Sequence, residues 1–214
     1  VCAVDGQSVY DYQIDQFERG MTTERLEEIF GSLREKLAPV IKDILAACEL
    51  TQHKVFTDKS LQAFPEHAQE RFCRAIAVKM GFSFEFGRFD TSVHPFTGGS
   101  GPFDVRITTR YDADNFMDAT MVSISHVPHS ASLNAHTRLT LSAFSSYQGV
   151  IHEVGHALYE QGLNRDQDGL PVQRALSMGV HESQSLFWER YVGQSLEFWE
   201  ANLGLFHERY VLGL

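Results

Sequence analysis

Apolar residues recur every three or four positions along much of this chain, a period that an α-helix places on one face. The longest such stretch carries Leu26, Ile29, Phe30, Leu33, Leu37, Ile41, Ile44 and Leu45. Thr22 and Thr23 precede it, followed by Glu24, Glu27 and Glu28, which is the cap and acidic first turn of a helix start. Pro39 lacks an amide proton and predicts a kink near Lys36 or a break into two helices. A second helix is expected from Pro65, burying Phe72, Cys73, Ile76 and Met80 and stopping at Gly81. The pattern returns from Phe144 to near Gly162, and again from about Ser177 to Leu205.

Between the helical stretches, Phe82 to Phe86 alternates apolar and polar residues as a short strand does. Asp104 to Thr109 alternates more weakly, so a small antiparallel sheet between the two is expected. Thr97 to Pro102, with three glycines, reads as a loop or hairpin turn. The fold class is therefore mainly α with a small antiparallel β element. No Pro-, Gly- or Ser-rich linker interrupts the pattern, which predicts a single domain over residues 1–214.

A hydrophobic fraction of 43% and a charged fraction of 21% belong to an ordinary globular protein rather than a disordered one. The net charge of -10, with no basic stripe among aromatics, argues against nucleic acid as a partner. No apolar run approaches the length of a membrane span, and the first residues are too short for a signal core, so neither membrane nor secretion is expected. Cys2, Cys48 and Cys73 are odd in number and widely spaced, which suits neither a disulfide framework nor a cysteine zinc cluster. A reducing, cytoplasmic setting is the expectation.

The chemistry lies in His152-Glu153-Val154-Gly155-His156. Histidines four apart on a helix project from one face and reach one metal ion at about 2 Å. Glu153, on the same turn, is placed to take a proton from the attacking water as general base. Phe144, Ile151, Val154 and Leu158 supply an apolar face to seat this helix in a core, which favours a metal site over two solvated surface histidines. A third ligand is needed, and by spacing alone Glu160, Glu182 and Glu189 compete for that place.

At these residues the sequence resembles the carboxypeptidase Taq family of metallocarboxypeptidases. His94-Pro95-Phe96 matches the family's HPF motif, and Asp104-Val105-Arg106-Ile107-Thr108 its D-x-R-x-T motif. His152 to His156 matches H-E-x-x-H, and His181-Glu182-Ser183-Gln184 matches H-E-S-Q, all in the family's order. The resemblance implies a mostly helical enzyme with a deep groove, often a homodimer, that uses zinc or cobalt to release residues from peptide carboxyl ends. Carried over residue by residue, His152, His156 and Glu182 become the metal ligands and Glu153 the base. His94 and Arg106 fall in motifs near the family's groove, where they would contact substrate or support the site. The plainer roles are a turn before Pro95 for His94 and an ion pair with Asp104 for Arg106.

The family's I-R-x-x-A-D and G-x-x-Q-D-x-H-W motifs do not occur in this chain. The expectation is accordingly the central part of a longer catalytic domain, and the alternatives are a catalytically dead zinc-binding or interaction module and another peptidase of the two-His-plus-Glu type. The stretch from Thr108 to His152 is longer than the family pattern, with extra residues around Ser123 to Ala143. That segment, holding His126, His129 and His136, is polar and is expected to form an exposed loop contributing no ligand.

Overall fold

The computed structural model describes residues 8–50, 65–111, 144–206 and 208. The Ser123 to Ala143 segment with His126, His129 and His136, like Cys2, lies outside the described residues. The chain divides into two units, Val1–Phe56 with Leu176–Gly179, and Thr57–Ala175 with Val180–Leu214.

In the first unit, α1 (Val9–Asp15) is capped by Ser8, whose hydroxyl accepts the Asp11 amide at 3.0 Å. α2 (Thr23–Leu50) begins where the threonine and glutamate signals predict, with Thr22 Oγ1 accepting the Arg25 amide at 3.2 Å. Asp11 accepts from both the amide and the hydroxyl of Thr23, at 2.7 and 2.6 Å, which ties α1 to α2. The break considered at Pro39 does not occur: α2 runs through it, the long helix on either side absorbing the loss of one hydrogen bond. Glu18 holds the Leu176–Gly179 strap, accepting the Ser177 hydroxyl at 2.8 Å and the Gly179 amide at 2.9 Å.

The second unit contains α3 (Glu66–Met80), which buries Phe72, Cys73, Ile76 and Met80 as its period predicts. Gly81 ends it in the left-handed region, at φ 109°, so that its own amide and that of Phe82 turn back onto Val78 and Ala77 carbonyls. Burial keeps Cys73 a neutral thiol, with Glu70 adding to the effect.

The sheet differs from the expectation in one partner. Phe82 to Phe86 is a turn, because the Ser83 amide and carbonyl are taken by the Gln161 side chain, each at 2.9 Å, rather than by a strand. The strands are β1 (Gly87–Thr91), β2 (Phe96–Gly101) and β3 (Asp104–Thr109), in the order β1-β3-β2. β2 runs antiparallel to β3, and β1 runs parallel to it. The Gly-rich run expected as a loop is thus largely β2. Ladder bonds to β3, with a register shift between Gly99 and Gly101, outweigh its poor strand propensity.

α4 (Phe144–Gln161) lies against α3 and the sheet, with Tyr147, Val150, Ile151 and Val154 buried among Phe72, Ile76 and Ile107. α5 (Met178–Leu186) continues into a π-helical stretch, Phe187–Val192, where the Gly193 amide reaches the Trp188 carbonyl at 2.7 Å. α6 (Leu196–Phe206) adds Trp199 to the same core. Among the described residues no helix is long and apolar enough to cross a membrane.

α4 and α5 touch backbone to backbone at Gly155. A Cβ there would stand 2.7 Å from Ser185 Cα and 3.0 Å from the Gln184 carbonyl oxygen, neither of which can step aside without moving α5. Gly155→Ala is therefore expected to cost about 1–3 kcal/mol in the metal-free protein, as overpacked cores do. Urea unfolding measures it, and an unchanged midpoint would show that the contact is slack.

Candidate metal centre

The i, i+4 step of α4 puts His152, His156 and Glu160 on one face, while α5 brings His181 and Glu182 alongside and the π stretch brings Glu189. Glu182 Oε2 lies 3.2 Å from His156 Nε2 and 3.7 Å from His152 Nε2. Two donors at about 2 Å from one tetrahedral ion stand roughly 3.3 Å apart, so these spacings suit a single ion. One atom from each of the three residues falls within 4.8 Å of the others, and they are the group among the described residues that can hold a metal in this way. The donor set, two imidazoles and one carboxylate, is that of a catalytic zinc site with an open position.

The ring nitrogens facing away from Glu182 are also engaged. His152 Nδ1 meets Glu189 Oε2 at 2.9 Å, and His156 Nδ1 meets His181 Nδ1 at 2.6 Å. Burial, with His181 and His152 beside it, lowers the His156 imidazole to about 4, so it is neutral and has a lone pair to offer at ordinary pH. Glu182, by contrast, is half exposed.

Glu153 is buried at 7% exposure, and burial raises its carboxyl above the usual range. The Thr97 hydroxyl, on β2, lies 2.7 Å from Glu153 Oε2 and 2.9 Å from its carbonyl oxygen, and this hydrogen bond opposes the rise. An acid held neutral more readily than usual, yet oriented by a donor, is a group suited to taking up and giving back a proton.

The structure thus brings together His152, Glu153, His156 and Glu182. His94 comes from the turn between β1 and β2, and Arg106 from β3. His94 is exposed in the turn between β1 and β2, where its carbonyl accepts from Thr108 Oγ1 at 3.2 Å. Arg106 points to the opposite face of β3 from buried Val105 and Ile107 and is bidentate to Asp104, at 2.9 and 3.0 Å. No hydrogen bond among the described residues joins either one to the cluster. Thr97 and His181 have site positions that sequence reasoning assigned no role. Glu160 and Glu189, weighed as ligands, sit behind the histidine rings instead. The even spacing of His152, His156 and Glu160 is the one signal that pointed to part of this.

The model of the carboxypeptidase Taq (M32) metallopeptidase family matches residues 1–133 and 133–211. The chain belongs to that family. Its M32 relatives include carboxypeptidase 1 of Bacillus subtilis, 34% identical over 190 residues, and thermostable carboxypeptidase 1 of Thermus thermophilus, 37% identical over 192. Those alignments take in 89% and 90% of this chain but 32% of each relative, so the chain spans about a third of their length. Among solved M32 structures it is similar to the carboxypeptidase of Deinococcus radiodurans, with a TM-score of 0.71 and 32% identity over 94% of this chain and 34% of that one. The Trypanosoma cruzi metallocarboxypeptidase 1 gives 0.73 and 35%, over 96% and 35% respectively. The resemblance drawn from four short motifs and the mainly helical fold are both borne out. The family match breaks at residue 133, inside the Ser123 to Ala143 segment.

Proposed function

We propose that this chain is the metal-bearing part of a longer carboxypeptidase catalytic domain, acting on peptides from their carboxyl ends. One observation carries the reading: two histidine Nε2 atoms and one glutamate oxygen converge at the spacing of a single ion, beside a buried carboxylate. In it, His152, His156 and Glu182 hold the ion, for which zinc is the choice that suits two imidazoles and a carboxylate. Bound there, the ion supplies Lewis acidity toward the scissile carbonyl and makes a water more acidic.

The remaining work falls to the chain's own side chains. Glu153 takes the water's proton as it attacks and passes it to the departing amide nitrogen. Thr97 holds the Glu153 carboxylate in place through the bond at 2.7 Å. His94 and Arg106, which make no hydrogen bond to the cluster, are proposed as contacts for a bound peptide. The carboxyl-end specificity is proposed from the relatives, which are carboxypeptidases by name.

The test is a peptide blocked at its amino end and free at its carboxyl end, incubated with the zinc-loaded chain and followed by mass spectrometry. Stepwise loss from the carboxyl end, stopped by a chelator, is the expected result. Internal cleavage would identify another two-His-plus-Glu peptidase, and zinc binding without turnover would identify a binding module.

A pH effect follows from Thr97. Removing its hydroxyl in Thr97→Val deletes an interaction that lowers the Glu153 pKa and leaves the larger raising effect of burial untouched. The base then stays protonated to higher pH, so the acid limb of kcat/KM is expected to move upward. A limb that stays in place or moves down would show that Thr97 does not hold the carboxylate.

A further inference from the structure

The two histidines are supported differently. His152 Nδ1 meets a carboxylate directly, Glu189, at 2.9 Å. His156 Nδ1 meets no carboxylate but the Nδ1 of a third imidazole, His181, at 2.6 Å, and His181 Nε2 in turn meets Glu160 Oε1 at 2.7 Å. Tautomers decide what this chain of contacts can be. If His156 offers Nε2 to a metal, its proton is on Nδ1, which must donate. His181 Nδ1 must then accept, which leaves the His181 proton on Nε2, pointing at the Glu160 carboxylate, an acceptor. With neutral imidazoles this arrangement satisfies every contact behind the ring, and it leaves the His156 Nε2 lone pair on the side of Glu182.

Packing restricts the middle ring as well. His181 lies with its centroid 4.6 Å from that of His156 and 5.0 Å from that of Tyr159, the latter edge-on, and its side chain is mostly buried. Glu160 reaches it from the same face of α4 as His156, one turn further on.

We infer that His181 and Glu160 form a positioning relay for the metal centre, fixing the tautomer and direction of the His156 ring as Glu189 does for His152. This rests on the metal-centre reading above. Glu160 acts only through His181, and that is the testable core. Outer partners of metal-bound histidines are typically worth 10- to 100-fold in metal affinity. His181→Phe keeps a ring in place and removes both contacts, while Glu160→Gln weakens the outer one.

The experiment titrates zinc into the metal-free 214-residue chain against a chromogenic chelator, for the parent, both single variants and the double variant. His181→Phe is expected to weaken zinc binding by about 100-fold and Glu160→Gln by about 10-fold, with metal-free melting unchanged. In the double variant the Glu160 change should cost nothing beyond the His181 change, because its only route is gone. A further 10-fold loss there would overturn the relay. So would parent-like zinc affinity in either single variant, which is also the result if the pair only touches peptide through the cavity of about 180 Å³ that it lines with Thr97 and Gly98. If His181→Phe does not fold, Glu160→Gln alone decides: parent-like affinity overturns the relay and a 10-fold loss supports it. A parent chain that binds no zinc fails the metal-centre reading itself and the relay with it.

Discussion

Glu153→Gln is expected to leave zinc binding intact and to slow peptide hydrolysis by about 10²–10⁴-fold, the usual worth of a positioned general base. The amide fits the same space and can still accept from Thr97 Oγ1, now 2.7 Å from Glu153 Oε2, so the fold has no reason to change. What it cannot do is receive a proton from water. Metal content is preserved because Glu153 is not one of the three converging donors, and its Oε2 is held by Thr97. Paired zinc analysis and turnover measurements read the two effects separately. Turnover within tenfold of the parent would assign the proton transfer to another group.

His156→Ala should show the opposite split, removing the ion as well as the chemistry. Its Nε2 lies closer to Glu182 than that of His152 does, at 3.2 against 3.7 Å, and two donors alone hold zinc poorly. At zinc a hundredfold above its dissociation constant, the parent gains about 2.7 kcal/mol of stability from binding. The variant is expected to gain almost none. Because the comparison is between melts with and without zinc, any loss of intrinsic stability cancels. Full metal content in purified His156→Ala protein is the finding that would remove this residue from the site.

What could be read from the sequence is what depends on neighbours along the chain. The step from His152 to His156, the cap at Thr22 and the stop at Gly81 are all settled within a turn or two of helix, and the structure has each of them. The sheet was harder, since strand pairing depends on what lies across from a segment. Phe82 to Phe86 has the alternation of a strand, but Gln161, far away in sequence, takes the Ser83 backbone groups first. Thr97 to Pro102 has the composition of a turn, but β3 supplies most of it with partners. With that run read as a loop, Thr97 could not be seen as the residue that steadies Glu153. Spacing likewise favoured Glu182, one loop and part of a helix beyond His156, but left Glu160 and Glu189 in competition with it. Only the direction in which each carboxylate faces, toward the Nε2 side or behind the rings, separates the one from the other two.

The closeness of Gly155 to Ser185 bears on how an ion is chosen. Since two helix backbones are in contact there, main chain sets how near the histidine-bearing α4 comes to the glutamate-bearing α5. A gap fixed in this way is a gauge. Small ions that accept short bonds to nitrogen fill it with the ordering cost already met during folding. A larger ion such as calcium, which seeks six to eight oxygens at 2.3–2.6 Å, finds two imidazoles and a single carboxylate there.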